Sequence, residues 1–386
     1  MLFQTRLKGL FGLALPLVWA VSLSSCILFE YRYPEELIRP TNTLGFDELW
    51  SVEVERKPRG SPANYWEDSS LLALDLDGDG AGELLVTTSE ANWLQVVKGG
   101  ETAGKLHLEV PGEAILGLSE VVEGTPMARI VSTGMNMSLV DLRTGEVVKP
   151  LAKHDGSRLF LEDITGDGEE EVIVSIGTRG EYVTVALDPS GRELWRVPEV
   201  IFELKYGGDF DDDGEIELIT SGDTSGWTVI DSKGEVSRIE AQDGNRSKVY
   251  YVGDLDGDGE LELAAGAGVY DLKGRKRWRY KLPEGSWVLG TLDKYAVVGD
   301  ADGDGKKEIA FFSRDPKFGS AVSAQYWIFL FDAQGKLLWN YMVHCDRFYP
   351  AAFADVNSDG KDELMFFEDR GDKGKILRVY GSKQTK

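Results

Sequence analysis

A seven-bladed β-propeller, all-β with four-stranded blades, is the fold this sequence predicts. Three observations carry the prediction. An acidic loop recurs along the chain at a nearly even spacing. The residues between successive loops read as four short strands. A lone strand stands ahead of the first repeat, and the last repeat lacks its counterpart.

In chain order the first element is an export signal. Arg6 and Lys8 precede an apolar run from Leu10 to Leu23, too short and too lightly flanked for a membrane span. The run ends in Leu23-Ser24-Ser25-Cys26, which resembles the lipobox of bacterial lipoproteins. The resemblance implies removal of residues 1–25 and a lipid on Cys26. It also implies membrane anchoring in a bacterial cell envelope, at the outer membrane or cell surface. Residues 26–45 then form the lipidated cysteine and a linker, and residues 46–386 the propeller. Cys345 is the other cysteine, so no disulfide framework exists, and it reads as a small buried apolar residue.

The repeats follow. Asp75-Leu-Asp77-Gly-Asp79-Gly-Ala-Gly-Glu83 returns as Asp254-Leu-Asp256-Gly-Asp258-Gly-Glu-Leu-Glu262 and as Asp300-Ala-Asp302-Gly-Asp304-Gly-Lys-Lys-Glu308. Weaker copies hold Asp163, Thr165, Asp167 and Glu171; Asp209, Asp211, Asp213 and Glu217; and Asp355, Asn357, Asp359 and Glu363. The copies start at 75, 163, 209, 254, 300 and 355. The first interval is twice the others, so a copy without ligand acids belongs near Leu118, giving seven repeats. Within a repeat, an apolar stretch such as Val249–Val252 leads into the loop, and a second follows it. A third ends at Asp, and after a Gly turn a fourth often carries Trp, as in Gly191-Arg-Glu-Leu-Trp195. The seventh repeat has no Trp strand. Residues 46–54, with Trp50, supply one without a blade, so the N-terminal strand is expected to complete the last blade and close the ring.

The loops carry the chemistry. In the copy at 254, Asp254, Asp256 and Asp258 take positions 1, 3 and 5, and Gly257 and Gly259 let the backbone curl so that the carboxylates converge. Glu260 offers a carbonyl at position 7, and Glu262 closes the shell at position 9. Calcium takes six to eight hard oxygens at flexible geometry, whereas Mg²⁺ demands a strict octahedron. The twelfth position is Ala265, so the loop is not an EF-hand. Asp-Gly sequences also make ordinary turns. Four carboxylates within nine residues, however, repel one another unless a cation sits among them. These six loops resemble the FG-GAP and VCBS repeats of integrin α-chain propellers and bacterial surface proteins. That resemblance spans residues 71–380 and implies Ca²⁺ held by side chains at positions 1, 3, 5 and 9 and a carbonyl at 7, at five or six sites. Thr165 departs from the pattern and weakens its loop; Asn357 departs less.

The net charge of −24 disfavours nucleic acid as a partner. In a meander the Asp loops and the Gly turns share one face. The irregular segments lie opposite: 56–70 with Tyr65 and Trp66, 283–293 with Trp287, 313–326 with Arg314 and Phe318, and 344–350 with Arg347 and Phe348. Aromatic and Arg side chains on loops over a rigid scaffold suit a protein or glycan ligand, and three of these segments fall in the blade 6–7–1 sector. No nucleophile or zinc signature is present. The expected function is a calcium-stabilised, membrane-anchored binding or scaffold module. The alternative is a carbohydrate-active enzyme of the polysaccharide lyase kind, since fold does not fix function.

Overall fold

The computed structural model describes residues 35–383 apart from 56–70, 89, 91, 112–114, 122–124, 133–135, 154–157, 179–180, 199–205, 212, 222–225, 248, 281–295, 315–323, 346 and 372–373. A single turn of helix, α1 (Glu35–Ile38), precedes strand β1 (Phe46–Val54). Blade 1 holds β2 (Leu71–Leu74), β3 (Glu83–Thr87), β4 (Trp93–Lys98) and β5 (Glu101–His107). Blade 2 holds β6 (Ile115–Val121), β7 (Met127–Ser132), β8 (Asn136–Asp141) and β9 (Val147–Lys153). Blade 3 holds β10 (Arg158–Glu162), β11 (Glu171–Thr178), β12 (Glu181–Leu187) and β13 (Glu193–Val197). Blade 4 holds β14 (Tyr206–Gly208), β15 (Glu217–Ser221), β16 (Trp227–Ile230) and β17 (Val236–Ile239). Blade 5 holds β18 (Val249–Gly253), β19 (Glu262–Ala265), β20 (Gly268–Asp271) and β21 (Lys276–Arg279). Blade 6 holds β22 (Ala296–Gly299), β23 (Glu308–Arg314), β24 (Ala324–Phe331) and β25 (Leu337–Cys345). Blade 7 holds β26 (Arg347–Ala354), β27 (Glu363–Asp369) and β28 (Lys375–Ser382), with β1 as its fourth strand.

The seven sheets are antiparallel meanders. The repeat near Leu118 is a full blade without an acidic loop. The first strands face one another around the axis, β2 lying beside both β6 and β26. The core is divided among the joints. Seven apolar clusters occur among the described residues, and each spans two neighbouring blades. One joins Leu84, Val86 and Val97 of blade 1 to Met365, Phe367 and Val379 of blade 7, which closes the ring. β1 runs antiparallel to β28 from Phe46 opposite Ser382 to Val54 opposite Lys375. Glu48 on β1 holds the Arg378 guanidinium, whose Nε lies 2.7 Å from the buried Glu368 carboxylate on β27.

The Trp strands dock blades. Trp195 of blade 3 lies over Gly234 of blade 4 and donates its ring N–H to the Ser232 carbonyl at 3.0 Å. Trp278 of blade 5 repeats this over Gly335 of blade 6, donating to the Ala333 carbonyl, and Trp50 lies over Gly100 of blade 1. A side chain on those turn glycines would collide with the indole, so Gly turn and Trp strand form one joint.

Two expectations about the chain's course change. The segment 26–45 is read from sequence as a linker, yet residues 35–45 are fastened to blade 6. Leu37 is 1% exposed in the core between blades 5 and 6. The Asn340 side-chain amide donates to the Leu37 and Arg39 carbonyls at 2.6 and 2.8 Å and accepts from the Thr41 N–H at 3.0 Å. The Thr43 N–H reaches the Leu338 carbonyl at 2.9 Å, so the outer edge of β25 is covered. The segments at 313–326 and 344–350 also read as loops. Their ends are strand instead: Arg314 pairs with Tyr326, Cys345 with Ala324, and Arg347 and Phe348 with Asp369 and Glu368. Main-chain pairing there continues the ladders of β23 to β27 into segments that the sequence reads as loops. Cys345 is buried at 3%, as expected.

Candidate metal centres on one face of the ring

All six acidic loops join the first and second strands of a blade, so they share one face. Each is built alike. The aspartate at position 1 accepts from two or three backbone N–H groups. Asp75 takes Gly78 at 2.7 Å and Gly80 at 2.9 Å; Asp254 takes Gly257 at 2.7 Å and Gly259 at 3.0 Å; Asp300 takes Gly303 at 2.7 Å and Gly305 at 2.9 Å. Asp163, Asp209 and Asp355 take the N–H groups of Gly168, Gly214 and Gly360 at 2.8 to 2.9 Å. The tight curl needs left-handed backbone. Gly257 has φ 75° and Gly259 φ 85°, and in the last loop Ser358 holds φ 60° where the copies at 75, 163, 254 and 300 have glycine.

The glutamate at position 9 opens the second strand and is buried in every copy: Glu83, Glu171, Glu217, Glu262, Glu308 and Glu363 are 1 to 6% exposed. One carboxylate oxygen of each accepts from the backbone N–H at position 2, from Leu76, Ile164, Phe210, Leu255, Ala301 and Val356 at 2.7 to 3.0 Å. At Glu83, Glu217 and Glu262 the carboxylate also lies among the aspartate oxygens of its loop. Burial, with Asp302, Asp304 and Asp300 alongside, pushes the Glu308 carboxyl up to about 8. Burial, with Asp359, Asp355 and Asp362 near, pushes Glu363 up to about 7. Burial also raises Glu171, Glu217 and Glu262.

Among the described residues, ligand oxygens gather within 4.8 Å of one another in four loops. The groups are Asp75, Asp77 and Glu83; Asp209, Asp211 and Glu217; Asp254, Asp256 and Glu262; and Asp300, Asp302 and Asp304. The loops at 163 and 355 are not among them. There a neutral side chain meets the glutamate: the Thr165 hydroxyl lies 3.5 Å from Glu171, and the Asn357 amide nitrogen donates to Glu363 at 2.7 Å. Turned over, that amide would present its oxygen instead. In the loop at 254, Asp256 Oδ1 is buried without a hydrogen-bond partner, although Arg277 reaches Glu262 at 3.0 Å. An orphaned carboxylate oxygen facing two other acids fits a hard divalent cation.

The loops also touch. Asp300 and Asp362 exchange bonds of 2.8 and 2.7 Å, and the Lys307 N–H reaches the Leu255 carbonyl at 2.9 Å, so the loops of blades 5, 6 and 7 form one collar. On the opposite face blades 6 and 7 are extended. β24 and β25 run 8 and 9 residues where the matching strands of blades 4 and 5 have 4. Four more residues raise this sector by about 13 Å over blades 4 and 5. Arg314, Arg347 and Phe348 lie on the extended strands, at register positions rather than on loops. Tyr65, Trp66, Trp287, Phe318 and Cys26 lie outside the described residues.

Seven four-stranded sheets in a closed ring make this a seven-bladed β-propeller. No family model matches the chain, and no curated protein matches it. Solved structures do. A crystal structure of BBS1N in complex with ARL6DN, soaked with mercury, has TM-score 0.54 at 11% identity over 89% of this chain and 98% of that one. The lead-soaked form of the same complex gives 0.51 at 14% identity over 89% and 99%. The AfRom2 CNH domain gives 0.50 at 10% identity over 88% and 100%. At such identities the likeness is one of fold.

Proposed function

We propose that this chain is a calcium-braced propeller of the FG-GAP and VCBS kind, a binding or scaffold module held on a bacterial envelope membrane through Cys26. The observation that carries it is the set of six buried position-9 glutamates, each with one oxygen fixed to the backbone N–H at position 2 of an aspartate-bearing loop. The aspartates at positions 1, 3 and 5 and that glutamate would hold Ca²⁺, with Thr165 and Asn357 standing in at position 3 of their loops. The ion supplies positive charge; the loops supply a fixed cradle, and no reaction step is involved. With one face given to the collar, the raised blade 6–7 sector opposite is the surface for a protein or glycan. The BBS1N propeller, crystallised with ARL6DN, is a precedent for a protein partner.

Calorimetry and melting test the reading on one preparation. Calcium should bind at several sites and raise the melting temperature over that in chelator. A site at ~100 times its Kd contributes about 2.7 kcal/mol if it binds the folded state alone. The loaded protein should also retain a ligand on a protein and glycan array. An unchanged melt in chelator removes the calcium, and a blank array removes the binding module.

A further inference from the structure

We propose that the loop at Asp75 carries its own cation, the ammonium of Lys98, and closes without a metal ion. Lys98 ends β4, and its Nζ lies 2.6 Å from Asp77 Oδ2, 2.8 Å from Asp79 Oδ2 and 2.6 Å from Glu83 Oε1. Those are the oxygens of positions 3, 5 and 9. The ammonium and a metal ion therefore compete for the same ligands, and the ammonium is tethered.

The position of Lys98 in its blade sets it apart. The residue ending the third strand, or following it, is Asp in blades 2 to 6: Asp141, Asp188, Asp231, Asp271 and Asp332. There the carboxylate caps the turn to the fourth strand, as Asp231 does by accepting from the Lys233 and Glu235 N–H groups at 2.9 and 2.7 Å. In blade 1 the turn shrinks to Gly99-Gly100, with φ 56° and 86°, between the paired Lys98 and Glu101. A two-residue turn of that type needs no capping carboxylate. The freed position holds a side chain of opposite charge, aimed at the loop on the same face. Elsewhere a cation reaches a loop less completely. Arg277 touches Glu260 and Glu262, and Lys233 touches Glu215, whose position 7 offers its carbonyl and not its side chain.

The assignment deepens the calcium reading and rests on it for the remaining loops. Its consequence is local. Blade 1 forms the joint with blade 7 that closes the ring, and this loop would be set before any ion arrives.

Lys98→Met separates the possibilities. Native mass spectrometry in calcium should show one more ion on Lys98→Met than on the wild type, which should bind five at most. In chelator the variant should melt about 2–4 °C lower, and calcium should restore it. Lys98→Met with Asp79→Asn, which lowers the charge of the emptied loop, should recover part of the loss in chelator; it also serves if the single variant folds poorly. A lower melt in chelator with no ion bound to either protein would keep the tethered cation and remove calcium. An unchanged ion count together with an unchanged melt in chelator would overturn the inference.

Discussion

Gly274 shows how tightly the joints between blades are drawn. A Cβ there would lie 1.9 Å from the Glu240 carbonyl oxygen of blade 4, and the residue has φ 74°. Gly191, at the matching turn of blade 3, has φ 86° but nothing within 4 Å of the same point. Alanine at either site carries the left-handed backbone penalty of about 1 kcal/mol. Gly274→Ala adds the displacement of a neighbouring backbone, for a total of about 3 kcal/mol. Urea titration of the two variants should therefore separate them by about 2 kcal/mol. The Gly turns and Trp strands were legible in the sequence as repeat punctuation. Their meaning was not, because Trp195 and Gly234 belong to different repeats and only the ring brings them together.

In the Asp loops of blades 6 and 7, a carboxylate buried beside others makes stability depend on pH. Glu308 at about 8 and Glu363 at about 7 lie above the unfolded glutamate value near 4.3. Their contribution to folding is complete below about pH 4.3 and is lost as pH rises through the folded values, because the unfolded chain ionises first. The chelated protein should thus melt lower at pH 8 than at pH 5.5. Metal binding requires the ionised forms, so the calcium-induced rise should be larger at pH 8. A calcium shift independent of pH would contradict the raised glutamates. The loop architecture was readable because its ligands fall within nine residues. Lys98 was not, since a hairpin folds it back onto acids 15 to 21 residues earlier. The long strands of blades 6 and 7 were missed for a related reason. Arg314 and Pro316 interrupt the alternation by which a strand is recognised, while the Arg314–Tyr326 pairing that extends it is not visible locally.

For the whole molecule, ring closure was legible in an absence: a last repeat without a fourth strand and a first strand without a blade. The attachment of 35–45 to blade 6 was not, because it depends on Asn340, some 300 residues away. The proposed anchoring is tested on the whole particle. Cys26→Ser should move the expressed protein from the membrane fraction to the soluble one and abolish palmitate labelling; persistence of both would remove the lipid anchor. The segment at 35–45 then acquires a mechanical meaning. Under the proposed anchor at residue 26, tension would enter the fold at α1, ahead of the strand that closes the ring. The load meets Leu37 and the three Asn340 bonds first. If they give way, the eleven residues 35–45 lengthen the leash by about 35 Å before force reaches β1. Under that load the latch would act as a fuse in series with the ring, met before β1.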